Sequence, residues 1–420
     1  MLILLSDLHF MDGTAGVDNL GCRIFERMFA DMADRARQAG AQEVKIALLG
    51  DIFDLVRTEH WFDLDPELRP WGSRPSEAAA VDAFDAIVAR NSSTFDLFSR
   101  GLGERFGFPV EPEWIYVPGN HDRLCNVYPS LRRRARGSLG LAGDEPLPRV
   151  LLEPEYGVYG RHGHEFDPYN FEGEPVFGGS GEQDVEAKAY EETPIGDVIA
   201  SEFASKLPVL VRHRSVETSP HGETLVDKFR ELFDVRPLGA IVDWLEVQRS
   251  RQPASLDGLI NDAMRQCADE FADIPFVEEW INRHDDWKNP FDEADKLEML
   301  FGLLGHVDFT SMRSALSIAR SGAEGHEAHY PEMARRDFAQ LDADPELRDR
   351  IQYVVYGHTH SPVQVAVGVV GDFGNERSRV YINTGTWRPS HRHALDDSGF
   401  VTWSNVTVTY VYRPGEVDAD

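Results

Sequence analysis

The stretch "VVYGHTHSPV", residues 354–363, runs an apolar segment straight into a glycine and two histidines, His358 and His360. The chain holds 15 histidines, so one such pair can be incidental. Four other segments repeat the design. Asp7-Leu8-His9 follows "MLILLS", and Gly50-Asp51-Ile52-Phe53-Asp54 follows "EVKIALL". Gly119-Asn120-His121-Asp122 follows "EWIYVP", and His162-Gly163-His164 follows "GVYGR". Each is a short β-branched or aliphatic run that ends abruptly in side chains able to bind a cation.

Between these runs the apolar residues fall at helical intervals. Ile24, Phe25, Met28, Phe29 and Met32 make one stripe, and a helix is expected around Val81–Leu97 with Phe84, Ile87 and Val88 on its inner face. Strand and helix signals in alternation define an α/β fold class. From about 345 the strand signals return as "IQYVVYGHTH", "VQVAVGVVG", "SRVYINTGTW" and "GFVTWSNVTVTYVY". The last three read as consecutive antiparallel strands. Residues 1–170 and 345–420 thus form one α/β body.

Residues 171–344 differ in character. Ile199, Phe203, Leu207 and Leu210, then Phe276, Val277, Trp280 and Ile281, then Leu297, Leu300, Phe301 and Leu304 recur at helical spacing, as expected of packed helices. This helical insertion follows the fourth ligand-bearing strand directly. It is expected to overhang the site as a lid that selects substrate.

The spacing of the polar residues carries the chemistry. In an extended segment, residues i and i+2 point the same way, so Asp7 and His9 should converge, as should His358 and His360. Glycine before Asp51, Asn120 and His358 lets the backbone turn and approach a ligand closely. Strand ends of an α/β sheet face a common crevice, where five termini can pool their ligands. The donors are carboxylates, imidazoles and an amide, without thiolate. That set suits divalent Mn²⁺, Fe²⁺ or Zn²⁺ and argues against a structural cysteine-type zinc site. Seven ligands exceed the needs of one ion and suffice for two when one carboxylate bridges. A water between such ions loses a proton easily and becomes a nucleophile at neutral pH. His162 and His164 share one face, and either can be the ligand.

The ordered set "DLH … GDIFD … GNHD … HGH … GHTH" resembles the calcineurin-like metallophosphoesterase superfamily. The resemblance covers about 1–170 and 345–420. "GDIFDLVRTEHW" and "YINTGTWRPSHR" look closest to bacterial and archaeal members similar to the UDP-diacylglucosamine pyrophosphohydrolases. It implies a four-layer α/β/β/α sandwich with a dinuclear centre at the strand ends. One metal would be held by Asp7, His9 and His360, the other by Asn120, His162 and His358, with Asp51 bridging. The family pattern selects His162 over His164. His121 matches the histidine that protonates the leaving oxygen, and Asp54 the acid that orients it, a pairing in which the carboxylate raises the imidazole pKa. Two divalent metal ions, Mn²⁺ foremost, are the implied cofactors. The implied activity is hydrolysis of phosphate esters, on a phosphorylated small molecule or a lipid-linked substrate. Arg57, Arg123, Arg388 and Arg392 lie near the ligand segments and are candidates for the phosphate oxygens or for surface salt bridges. Asp122 reads as a loop-capping carboxylate.

Composition narrows the alternatives. A chain of 420 residues, 42% hydrophobic and 27% charged, can bury a large core. The net charge of −30 repels nucleic-acid backbones, which disfavours a nuclease of the same superfamily. The one dense basic run, "LRRRARG" at 131–137, reads as a solvated helix face. A non-catalytic binding scaffold is the other alternative, and it is disfavoured because every ligand position is filled. Cys22, Cys125 and Cys267 have no metal-type spacing and leave an odd thiol under any pairing, which fits a reducing, cytoplasmic setting. No apolar run approaches the ~20 residues that span a bilayer, and no secretory leader is evident.

Overall fold

The computed structural model describes residues 1–17, 20–99, 101–179, 187–215, 222–236, 240–251, 254–285, 329–371, 376–394 and 399–416. The expected stripe of Leu297, Leu300, Phe301 and Leu304 lies outside them.

Eleven strands are described: β1 (Leu2–Leu5), β2 (Lys45–Leu49), β3 (Glu113–Val117), β4 (Leu151–Glu153), β5 (Val158–Gly160), β6 (Tyr353–Tyr356), β7 (Val363–Val370), β8 (Arg377–Asn383), β9 (Pro389–His393), β10 (Phe400–Ser404) and β11 (Thr409–Val411). They build a four-stranded sheet in the order β11-β1-β2-β3, a five-stranded sheet in the order β4-β5-β6-β8-β7, and the separate hairpin β9–β10. The β1, β2 and β3 strands run parallel, as do β5, β6 and β8, while β11, β4 and β7 are antiparallel edges. The molecule is of mixed α/β class.

The strands that read as continuous apolar runs do so because both of their faces are buried. Met1, Ile3, Leu5, Ile46 and Leu48 point into a cluster with Phe25, Phe29 and Met32 of the Cys22–Gln38 helix and Phe84 and Ile87 of the Glu77–Arg90 helix. The alternate residues Leu2, Leu4, Ala47 and Leu49 join Val158, Val355 and Ile382 of the other sheet in a second cluster. A third cluster unites Tyr159, Val354, Tyr356 and Tyr381 with Tyr330, Ala334, Phe338 and Leu341 from a helix over 329–341. That helix falls within the segment assigned to the insertion, yet it covers the outer face of the five-stranded sheet. The helices between 195 and 284 share the first cluster with the four-stranded sheet, through Phe203, Leu207, Phe229 and Trp280.

Two expectations are corrected here. Of the last three β-rich stretches, the first two are consecutive antiparallel partners as expected, and the third is not. β7 pairs with β8, β9 and β10 form their own hairpin, and "GFVTWSNVTVTYVY" divides into β10 and β11, the latter returning to pair with β1. Alternation reports which face of a strand is buried and says nothing of its neighbour. The single helix expected over Val81–Leu97 is two, Glu77–Arg90 and Ser92–Ser99, broken at Asn91, whose amide caps Ile87 O (2.9 Å) and reaches Met11 O (2.8 Å). The "LRRRARG" run lies on the Pro129–Ser138 helix, burying Leu131 and Ala135 while Arg134 pairs with exposed Asp85.

Candidate metal centre

The ligand segments leave two sheets rather than one. Those after β1, β2 and β3 meet those after β5 and β6 across the inter-sheet cluster. Backbone pairing continues past the ends of β1 and β2: Asp7 N donates to Gly50 O (3.0 Å), His9 N to Asp51 O (2.8 Å) and Phe10 N to Ile52 O (2.8 Å). Behind them Phe10, Phe53 and Phe95 pack ring to ring at 5.0 to 5.2 Å, which backs these loops with apolar core.

The expected extended geometry is not what brings the ligands together. Asp7, His9, Asp51, His358 and His360 all have positive φ, between 46° and 67°, and they are the only non-glycine residues so placed among those described. Left-handed backbone costs roughly 1–2 kcal/mol for such residues, so the surrounding pairing has to impose it. The turns aim donors inward where an extended chain would carry them past each other. The glycine expectation fits: a Cβ at Gly50 would meet the His162 ring at 2.4 Å, one at Gly119 would meet Asp51 Oδ1 at 2.3 Å, and one at Gly357 would meet Asp7 Oδ2 at 2.5 Å.

All nine residues singled out in the sequence meet in one place. Asp7, His9, Asp51 and His360 form one buried group with ligand atoms mutually within 4.8 Å, and Asp51, His162 and His358 form a second. Asp51 belongs to both, its Oδ2 lying 3.6 Å from His9 Nε2 and 3.3 Å from His162 Nε2. Asn120 turns Oδ1 to His162 Nε2 (3.2 Å), while its amide nitrogen donates to Asn170. A third group joins His9, Asp54 and His121. His162, not His164, faces Asp51. His164 is packed between Phe171 and Tyr190, and burial holds it neutral, its pKa lowered to about 4.

The hydrogen bonds behind these rings set which nitrogen carries the proton. Asp54 accepts from His9 Nδ1 (2.9 Å), Leu49 O from His162 Nδ1 (2.8 Å) and Asp167 from His358 Nε2 (3.1 Å). Each leaves the inward nitrogen, Nε2 in His9 and His162 and Nδ1 in His358, as the donor toward a cation. His360 is the exception: Arg236 Nη2 donates to its Nδ1 (2.7 Å), and His360 Nε2 lies 2.9 Å from His9 Nε2.

Charge follows burial and neighbours. Burial pushes Asp7 up to about 7. Burial also opposes the charge on Asp51, but His162 and His121 outweigh it and hold the carboxylate well below its usual range. His162 is the converse: despite burial, Asp51 raises it to about 10. Burial lowers His9 to about 3 and, with Arg236 beside it, keeps His360 neutral. His121, 13% exposed, gives Nδ1–H to Asp54 Oδ1 at 2.8 Å. Burial works against its cation, and the Asp54 and Asp51 charges raise its pKa nonetheless.

Of the four arginines, three already have acidic partners. Arg388 is bidentate to Asp234 at 2.9 and 3.0 Å, and Arg123 binds Asp197, Thr193 Oγ1 and Glu191 O. Arg57 lies against Asp54 (3.2 Å) and over the Phe233 ring. Their partners Asp197, Asp234 and Phe233 come from the helical segment, so these cations tie it to the body. Asp122 caps loops, accepting from Ile52 N (2.8 Å) and Tyr116 Oη (2.6 Å).

Sequence reasoning missed four contributors. Asp167 lies three residues beyond His164, in the run "HGHEFD". Ser6 touches Asp7 Oδ2, and Thr386 donates to Asp7 O (2.9 Å), so the "SDLH" and "NTGT" runs support each other. Arg236 has no local signal, because only the tertiary fold brings it to His360.

No protein-family model matches this chain, nor does any curated protein or solved structure. No helix among the described residues is long and apolar enough to cross a membrane. Buried Asp and His groups that can hold a metal ion are what the structure supplies.

Proposed function

We propose that the chain is a dinuclear-metal hydrolase of phosphate esters, related to the calcineurin-like metallophosphoesterases. The observation that carries this reading is the sharing of Asp51 by two ligand groups, with His9, His162 and His358 each held at the outer nitrogen so that the other faces the site. In this reading the first ion takes Asp7, His9, Asp51 and His360, and the second takes Asp51, Asn120, His162 and His358. Two divalent ions, Mn²⁺ foremost, would supply charge stabilisation for the phosphoryl oxygens and a nucleophilic hydroxide at neutral pH. The same reading includes an α/β/β/α sandwich, supported by apolar clusters on both faces of each sheet.

The chain's own residues do the rest. His121, oriented through Nδ1 by Asp54 and with its pKa raised against burial by the Asp54 and Asp51 charges, would hold a proton on Nε2 for the departing alkoxide. Asp54 also fixes His9, so one carboxylate sets both a ligand and an acid. The helical segment bears on the site through Arg236, which qualifies it as more than a cover.

The test is metal analysis of the purified protein with hydrolysis of p-nitrophenyl and bis-p-nitrophenyl phosphate. Two equivalents of bound metal and metal-dependent turnover are expected. Cleavage of single-stranded DNA in preference to both esters would reassign it as a nuclease. Two bound metals without turnover of any ester would leave a binding scaffold.

A further inference from the structure

Beside the candidate metal centre lies a cavity of about 340 Å³ walled by His360, Ser361, Ser390, Arg392, Trp403 and Asn405, among others. The β9–β10 hairpin supplies much of that wall. Residues directly opposed in an antiparallel pair project from the same face, and the register sets Val401 opposite Arg392 and Trp403 opposite Ser390. The cavity therefore receives one face of the hairpin. The other face turns to the helical segment, with His393 Nε2 3.2 Å from Asp243 and His391 Nε2 3.7 Å from Glu231.

Two features separate this wall from ordinary surface. Trp403 keeps 57% of its area exposed at the cavity, beside Val401 at 43%. The fold has not used that indole for its core. Arg392 donates to Ser361 Oγ (2.6 Å) and pairs with no carboxylate among the described residues. In a chain of net charge −30, where Arg57, Arg123 and Arg388 all have acidic partners, a guanidinium held near the site without one stands apart.

The geometry points to a substrate subsite. A planar aromatic or heteroaromatic ring, carried by the phosphate ester at the centre, stacks on Trp403, and an anionic or acceptor group of the same molecule reaches Arg392. This deepens the phosphate-ester reading and rests on it. The substrate class is a phosphate ester of a planar ring system, aryl or nucleoside. Stacking on an exposed indole needs only a π-face, and a guanidinium beside it adds a charge-assisted contact. An acyl chain fits worse. It would press the polar groups of Ser390, Asn405 and Arg392 against hydrocarbon at a desolvation cost, whereas a ring with polar edges offers them partners. The volume falls at the small end of ligand sites, enough for a ring and its substituents and too small for a folded strand.

Non-hydrolysable phosphonates separate the arms of the test. Full-length, Mn²⁺-loaded protein is titrated calorimetrically with phenylphosphonate, methylphosphonate and decylphosphonate. Trp403→Ala should weaken phenylphosphonate on the order of tenfold and leave methylphosphonate unchanged, and Trp403→Phe should retain most of the affinity. Arg392→Gln should weaken 4-carboxyphenylphosphonate more than phenylphosphonate. Equal loss for the phenyl and methyl ligands, or no loss at all, overturns the subsite. Tighter binding of decylphosphonate than of phenylphosphonate overturns it in favour of an acyl chain. Failure of the wild-type protein to hydrolyse phenyl or ethyl phosphate would refute the phosphoesterase reading, and the phosphonate titrations would still decide the subsite.

Discussion

The two ligand groups are built from the same residue types and share Asp51, yet each keeps its place for a cation in a different way. In the second group a proton stands there. His162, raised to about 10 by Asp51, faces that carboxylate as a cation across 3.3 Å. In the first group both rings are neutral, and a hydrogen bond stands there. Arg236 donates to His360 Nδ1, so the neutral ring carries its hydrogen on Nε2, which points at the lone pair of His9 Nε2 (2.9 Å). Loading the second group displaces a proton into solvent. Loading the first requires His360 to move its hydrogen to the other nitrogen and to give up Arg236. Similar ligand lists therefore conceal different thermodynamics.

The largest effect removes what the groups have in common. Asp51→Asn should cost both groups their ion and lower metal-dependent hydrolysis by roughly a thousandfold or more, since several kcal/mol of transition-state stabilisation goes with the metals. Metal content by elemental analysis checks it, with near-total loss expected. His360→Ala should leave about one equivalent bound. Retention of two equivalents in Asp51→Asn would separate the groups.

Next comes His121, which on the proposed reading acts beside the two groups and ligates neither ion. His121→Ala should leave metal content intact and lower kcat by about a hundredfold for alkyl phosphates. The deficit should shrink for p-nitrophenyl phosphate, whose leaving group departs without a proton. Equal deficits on both esters would assign His121 to charge stabilisation instead of proton donation.

The meeting of the nine residues was legible because strand and ligand signals lie side by side along the chain. Buried parallel strands advertise themselves as apolar runs, and the polar residues at their ends break that pattern visibly. Three things were hidden. The left-handed backbone at Asp7, His9, Asp51, His358 and His360 is imposed by pairing between distant loops. The fates of Arg123 and Arg388 depend on Asp197 and Asp234, far along the chain and in helices whose own pattern reports only packing. The placement of β11 beside β1 is a choice of partner, which alternation does not encode.

The proton in the second group gives a pH signature. His162 lies above its ordinary value of 6.5, so between pH 7 and about 10 the metal-free ring is charged and must be neutralised before it binds an ion. Affinity at this group should rise about tenfold per pH unit across that range and level off above it. His9 and His360 are already neutral there, and Asp7, at about 7, is ionised above that pH. Affinity at the first group should therefore be flat above pH 8. Calorimetry in buffers of different ionisation enthalpy should count two protons released per pair of ions at pH 8.5, one from His162 and one from the water that becomes hydroxide. A count of one would erase the difference between the groups.

The smallest effect probes the first group through Arg236. The guanidinium is anchored to Phe233 O and Val235 O (both 2.8 Å), so it meets His360 from a fixed position. In metal-free protein it stabilises the tautomer that closes the site. With an ion present it adds a like charge nearby, which an effective dielectric near 20 leaves worth a few kcal/mol at most. Both influences oppose loading. Arg236→Gln, which can still bond the two carbonyls through its amide, should therefore tighten metal binding at the first group by about tenfold and leave the proton count of the second unchanged. Weaker binding at the first group in Arg236→Gln would reverse the assignment, making Arg236 the residue that aims His360 at the ion, and the helical segment a support of the centre where the opposite result makes it a restraint.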